Sequence, residues 1–267
     1  MVRIQTLTIA RRMPAPVIKA ASVIAVCIVA ACCGCGAPIA ETADPSPDTE
    51  KDVPMHIVLL GDSIFDNGVY VGDDPSVIEQ LDAALPEGSV ATLLAVDGDT
   101  TVDVAAQLKH VPDDATHLIV SVGGNDALQS SYILAEEASS VGEAVLKLAE
   151  LQDDFRKTYE KMLDGVLDRE LPTTVLTIYD PNFGEGTQQR MSVTALALFN
   201  DVITRAAIKR KLNVIDLRTL FDNQADYANP IEPSAKGGEK LVEAIQRSVN
   251  TDRGRADIAV FGITYAQ

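Results

Sequence analysis

Five short blocks in this 267-residue chain carry side chains able to do chemistry together, and each follows a run of apolar residues. They are Gly61-Asp62-Ser63-Ile64-Phe65-Asp66, Asp97-Gly98-Asp99, Gly123-Gly124-Asn125-Asp126, Tyr179-Asp180-Pro181-Asn182, and a longer loop containing Asp226, Asn229 and Glu232. A serine at a strand-to-helix turn exposes its hydroxyl, and a glycine lets a backbone N–H approach an oxyanion with no Cβ in the way. Taken singly the blocks are ordinary turns, with Ser63 as a helix cap and Asn125 as a turn residue. Taken together on adjoining strand ends they supply a nucleophile, amide donors and carboxylates, the parts of acyl transfer.

The elements that must position these blocks are legible in the hydrophobic pattern. Apolar runs at 57–60, 92–96, 118–122, 174–178 and 214–217 are continuous rather than alternating, as expected of parallel strands buried on both faces. Between them lie helical periodicities, clearest in Val141, Val145, Leu148, Phe155, Tyr159, Met162 and Val166, a helix that Pro172 ends. Further helices are expected over 76–84, 102–109, 189–210 and 235–249. Strand alternating with helix predicts an α/β fold: a three-layer α/β/α sandwich, flavodoxin-like, with a doubly wound five-stranded parallel sheet. Its functional crevice lies at the carboxyl edge of the strands.

Composition narrows the function. With 22 basic against 39 acidic side chains the chain repels phosphate backbones, which excludes nucleic acid as a partner. All four cysteines precede residue 36, so no disulfide framework holds the body, and a hydrophobic content of 46% is ample for a packed core. Residues 1–31 carry Arg3, Arg11, Arg12 and Lys19 ahead of an apolar stretch too short to cross a bilayer, and read as an export signal. Val29-Ala30-Ala31-Cys32 resembles a bacterial lipobox, which makes Cys32 the lipidation site and a lipid anchor the link to a membrane of the cell envelope. Without residues 1–31 the chain has 18 basic and 39 acidic side chains, a formal charge of −21. Residues 32–54 are a Pro-, Ala-, Asp-, Glu- and Thr-rich tether, and 55–267 form the folded domain.

Gly-Asp-Ser after the first strand, glycine after the second and Gly-Gly-Asn-Asp after the third, in that order, resemble the SGNH or GDSL hydrolases over roughly residues 55–250. The resemblance implies that Ser63 is the nucleophile of an ester hydrolase. It also implies an oxyanion hole made of the Ser63 N–H, the Gly98 N–H and the Asn125 side-chain amide. Each such donor is typically worth about 3 kcal/mol. Asp62 and Asp126 are assigned to substrate binding, and the loop 182–190 to shaping the substrate site, with Phe183 and Arg190 as contacts.

The family's last block reads Asp-x-x-His-Pro-Ser, whereas this chain has Asn229-Pro230-Ile231-Glu232-Pro233-Ser234. Both the base and its orienting acid are substituted. His56 and His117 begin strands one and three, roughly 20 Å from the motifs at about 3.3 Å per residue, and His110 shares their edge. Glu232 is therefore the expected base. Asn229 is its expected orienter, since a neutral amide donates to a carboxylate that an aspartate would repel. Replacing an imidazole of pKa about 6.5 by a carboxylate of about 4.3 forfeits about 3 kcal/mol of proton-accepting strength, part of which burial restores.

The sequence thus predicts an exported serine ester hydrolase acting on a small-molecule, glycan or lipid ester, with no cofactor implied. The alternative is a degenerate envelope protein of the same fold that binds an acyl or carbohydrate ligand. A cation held by Asp62, Asp66, Asp126, Asp180 and Glu232 has no ligand-loop spacing to support it.

Overall fold

A computed structural model describes residues 54–251 and 260–262. The export signal, Cys32 and most of the tether lie outside the described residues. Strands β1 (His56–Gly61), β2 (Val90–Leu93), β3 (His117–Ser121), β4 (Thr173–Leu176) and β5 (Asn213–Ile215) match the five apolar runs. They pair in parallel in the order β2-β1-β3-β4-β5, so β1 and β3 are central and the order reverses beside them.

The sheet has six strands rather than five. A hairpin, β6 (Tyr227–Asn229) with β7 (Glu232–Pro233), stands apart from it, and β8 (Val260–Phe261) pairs in parallel with β5. Two residues, one of them exposed, leave no apolar run to read, which is why the sixth strand escapes the pattern. Strand β2 ends earlier than its apolar run: the N–H groups of Leu94 and Ala95 both bond to the Leu59 carbonyl, at 2.9 and 3.0 Å, and the regular ladder stops there.

The unbroken apolar character of β1 and β3 is explained by two cores. Val58, Leu60, Leu118 and Val120 point to one face and Ile57, Leu59 and Ile119 to the other. Each such fully buried side chain contributes about 2 kcal/mol of apolar burial. The first face is covered by α3 (Val104–Gln107), α5 (Val141–Leu167) and α6 (Thr187–Lys209), through Val104, Phe155, Tyr159, Val166, Phe199 and Ile203. The second is covered by α2 (Val77–Ala84), α7 (Leu217–Leu220) and α8 (Ala235–Thr251), through Val77, Leu81, Leu217, Leu241 and Ile245. Two short helices, α1 (Gly68–Val71) and α4 (Gly124–Gln129), follow β1 and β3 at the carboxyl edge.

Helix α5 begins where the Ser140 hydroxyl accepts from the Glu143 N–H at 3.1 Å, and it ends five residues before Pro172. Its apolar stripe does not all face the core. Val141 is 82% and Val145 57% exposed, because the first turns of α5 run past the carboxyl edge of the sheet. Gln152 donates to the Leu198 carbonyl at 3.0 Å and Arg210 to Asp164 at 2.6 Å, so α5 and α6 lie parallel at a constant offset. Their N-terminal halves form two walls of a cavity.

Candidate active site

The turn carrying Ser63 is fixed by close backbone approach. Gly61 ends β1 at φ +132°, and a Cβ there would stand 1.6 Å from the Ser121 carbonyl oxygen, so only glycine fits. The next N–H, that of Asp62, donates to the same carbonyl at 3.1 Å, and the Asp62 carbonyl accepts from Phe65 and Asp66. Ser63 is thereby lifted off the sheet edge with its side chain against a cavity.

The expected amide donors are not used up, although Gly98, unlike Ser63 and Asn125, is not among the residues that line the cavity. Among the described residues the N–H groups of Ser63 and Gly98 make no hydrogen bond within the chain. Gly98 sits at φ +86° with open space where its Cβ would be. Asn125 lines the cavity, and its Nδ2 donates to the Asp99 carbonyl at 2.9 Å, which spends one amide hydrogen and leaves the other.

Glu232 is buried at the start of β7 and lines the same cavity wall as Ser63, close enough for the Ser63 hydroxyl to act on its carboxylate. Burial raises the Glu232 pKa above the usual value; the Ser63 hydroxyl draws it back, and the charge of Asp97 adds to the rise. One carboxylate oxygen, Oε2, is enclosed with no hydrogen-bond partner among the described residues, a state that favours taking up a proton.

Asn229 does not orient Glu232. The two residues are register partners across the hairpin, but the Asn229 side chain is exposed and its Oδ1 accepts from the Ile231 N–H at 3.0 Å, an Asx turn over Pro230. The hairpin is held instead by residues the motifs do not reveal. The Tyr179 hydroxyl donates to the Ile231 carbonyl, and the fully buried Asn67 donates to the Pro233 carbonyl at 3.5 Å while accepting from the Val77 N–H at 2.9 Å.

The remaining expected contacts divide. Asp62 lines the cavity, buried, with its pKa pushed up to about 8 by desolvation and by Glu232, Asp126 and Asp97. Asp126 is not a cavity group: its Oδ2 accepts from the N–H and hydroxyl of Thr101 at 2.9 and 3.0 Å, tying α4 to the loop after β2. Phe183 lines the cavity, whereas Arg190 is exposed and outside it, the neighbouring Met191 facing in instead. Asp66 accepts from the Asp97 N–H at 2.9 Å, and neither Asp66 nor Asp180 lines the cavity. No cluster of three metal-ligating side chains occurs among the described residues. The histidines stand at the opposite edge, where His56 contacts Asp114 at 3.0 Å and Thr92 at 2.8 Å.

The cavity is about 310 Å³ and runs from Ser63 between α4, α5 and α6. Ile64, Val122, Ile133, Leu151, Ile178 and Phe199 make its lining chiefly apolar, and among the described residues Asp62 and Glu232 are its only carboxyl groups.

Residues 59–240 match the sequence model of the GDSL-like lipase/acylhydrolase family. No curated protein matches the chain. In fold the chain is similar to an extracellular lipase from Streptomyces rimosus, with a TM-score of 0.56 at 20% identity over 73% of this chain and 99% of that one. It is also similar to a phospholipase A1 from Streptomyces albidoflavus, with a TM-score of 0.54 at 17% identity over 73% of this chain and 100% of that one.

Proposed function

The chain belongs to the GDSL-like lipase/acylhydrolase family and is a hydrolase acting on ester bonds, and from that premise we propose that it is an exported acylesterase with Ser63 as nucleophile and Glu232 as base. The observation that carries the residue assignment is the buried carboxylate of Glu232 beside the Ser63 hydroxyl, at the end of an apolar cavity.

In this reading the acyl chain of the substrate occupies the cavity and its carbonyl carbon meets Ser63 Oγ. Glu232 takes the hydroxyl proton as the C–O bond forms. The negative charge passes to the carbonyl oxygen, which the N–H groups of Ser63 and Gly98 and the free amide hydrogen of Asn125 receive. Collapse of the tetrahedral intermediate breaks the ester bond, and the departing alkoxide takes the proton from Glu232. Water, deprotonated by Glu232 in turn, then attacks the acyl-enzyme; collapse of this second intermediate breaks the bond to Ser63 Oγ, which takes the proton back from Glu232, and releases the acid.

An apolar cavity favours an acyl chain over a carbohydrate as the group bound there. Export and the lipid anchor at Cys32 rest on residues 1–35 of the sequence alone. The test is hydrolysis of butyryl and octanoyl p-nitrophenyl esters from about pH 4 to about pH 8 by wild type, Ser63→Ala and Glu232→Ala, with fluorophosphonate labelling of Ser63. Turnover lost in both variants, and labelling lost in Ser63→Ala, is the expected result. Turnover that does not depend on Ser63, or no turnover with Ser63 unlabelled, defeats the reading.

A further inference from the structure

We propose that Asp62 keeps its proton while Ser63 reacts, as a positioning residue of the nucleophile turn, and that its ionisation closes the site at alkaline pH. The proposal rests on Ser63 being the nucleophile.

The argument is one of surroundings. The Asp62 carboxyl is buried in the wall of the cavity, whose lining among the described residues includes no lysine or arginine. Its one hydrogen bond among the described residues is a long one, from the Ile64 N–H to Oδ1 at 3.4 Å. Oδ2 faces Gly124 at the start of α4, 3.7 Å from where a Cβ there would stand, and accepts no hydrogen bond among the described residues. Each neighbouring element presents acid to it: Glu232 from the hairpin, Asp126 from α4, Asp97 from the loop after β2, and the Tyr179 phenol from the segment after β4. Of the cations at this end of the molecule, Arg218 is paired with Asp216 at 2.6 Å and Lys240 with Asp222 and Asp226 at 2.6 and 2.7 Å, while Arg190 and Lys236 are exposed and outside the cavity lining.

A carboxylate enclosed in this way, facing other carboxylates and lacking a cation, is the disfavoured form, and a carboxylic acid is the form that fits. Burial pushing the Asp62 pKa up to about 8 agrees with this. Chemistry one residue away requires the same state. The attack of Ser63 creates a negative charge on the acyl oxygen, and a neutral Asp62 leaves the amide donors unopposed. An ionised Asp62 repels that charge, so the rate falls as the proton leaves, about tenfold for each pH unit above its pKa.

The proton is read directly by a carbon-13 NMR titration of wild type labelled at the aspartate carboxyls. The expected result is one aspartate signal titrating near pH 8, far above the usual carboxylate range, and missing from Asp62→Asn. If Asp62→Asn does not fold, Asp62→Ala serves for assignment. A wild-type spectrum in which no aspartate titrates above about pH 7 overturns the proposal, and it does so whether or not the protein turns over esters. The consequence is read from the shape of the kcat/KM profile. The alkaline fall of wild type is expected to vanish in Asp62→Asn whatever that variant's absolute rate, and an unchanged alkaline limb overturns it. Failure of the NMR arm with Ser63-dependent turnover intact removes only the role of Asp62. Loss of Ser63-dependent turnover with the NMR signal present removes only the esterase reading.

Discussion

The side chain of Gln107 makes to Gly61 both hydrogen bonds that a neighbouring strand would make: Oε1 accepts from the Gly61 N–H at 2.8 Å and Nε2 donates to the Gly61 carbonyl at 2.7 Å. The same Nε2 donates to Asp99 Oδ2 at 2.8 Å, and the Asp99 carbonyl in turn accepts from Asn125. One buried amide thus ties the end of β1, the Gly98 turn and the Asn125 donor into a single unit.

Gln107→Leu keeps most of the volume and removes the partner of the Gly61 N–H, while the Gly61 carbonyl keeps the Val96 N–H at 3.1 Å. The buried N–H is left unsatisfied, at a cost of about 1 to 3 kcal/mol. The expected outcome is a lower urea midpoint together with a fall in kcat larger than any change in KM, since the disturbed groups receive charge only in the transition state. A variant with an unchanged midpoint would show that water replaces the amide.

If Glu232 is the base, its chemistry sets the acid limb of activity. The base must be ionised, so the rate falls as pH drops through a Glu232 pKa that burial holds above the ordinary value. Glu232→Gln preserves shape and removes the proton acceptor, and a loss of about 10² to 10⁴ in kcat is expected. Glu232→His moves the acid limb to higher pH, because an imidazole has a reference pKa of about 6.5. Replacing His56, His110 and His117 together by glutamine leaves the acid limb where it is, since these residues lie at the other edge of the sheet.

Stability carries the signature of Asp62 independently of activity. Its folded-state pKa of about 8 lies above the unfolded value of 3.8, so between these values the folded protein binds more protons than the unfolded chain. Stability from this group is therefore fully present below the unfolded pKa and declines as pH rises toward the folded one. Asp62→Asn removes that decline. Its urea midpoint, compared with wild type, is expected to improve progressively from about pH 5 to about pH 8 and then to hold constant. A difference independent of pH would mean that Asp62 is ionised throughout.

What the sequence reveals and what it hides have physical causes. Strands covered on both faces leave unbroken apolar runs, so the sheet and the blocks at its carboxyl edge could be read from residues 57–60 onward, and with them the positions of Ser63, Asn125 and Glu232 on the cavity. Partners chosen by backbone geometry could not. Asn229 stands three residues before Glu232, yet its side chain turns back on the Ile231 N–H. Arg190 and Met191 are adjacent, and a step of about 100° around α6 separates the exposed side chain from the one in the cavity. Gln107 carries no motif of its own, though its spacing of three from the buried Val104 places it on the inward face of α3. Val141 and Val145 kept the helical period but lie beyond the sheet they were expected to cover.

The cavity makes the acyl preference adjustable from one position. Ala195 lines it from α6, on the wall opposite Leu151 of α5. Ala195→Phe inserts a ring into a space of about 310 Å³ and displaces the far end of a long acyl chain, whereas a butyryl group close to Ser63 is unaffected. Each methylene returned to water costs about 0.8 kcal/mol, so losing two of the buried methylenes of an octanoyl chain lowers its kcat/KM about fifteenfold. The expected result is a shift of about that size in the octanoyl-to-butyryl ratio, with the thermal midpoint held within a few degrees. A ratio that does not move, in a variant that folds, means the acyl chain lies elsewhere and the cavity serves the alcohol side of the ester.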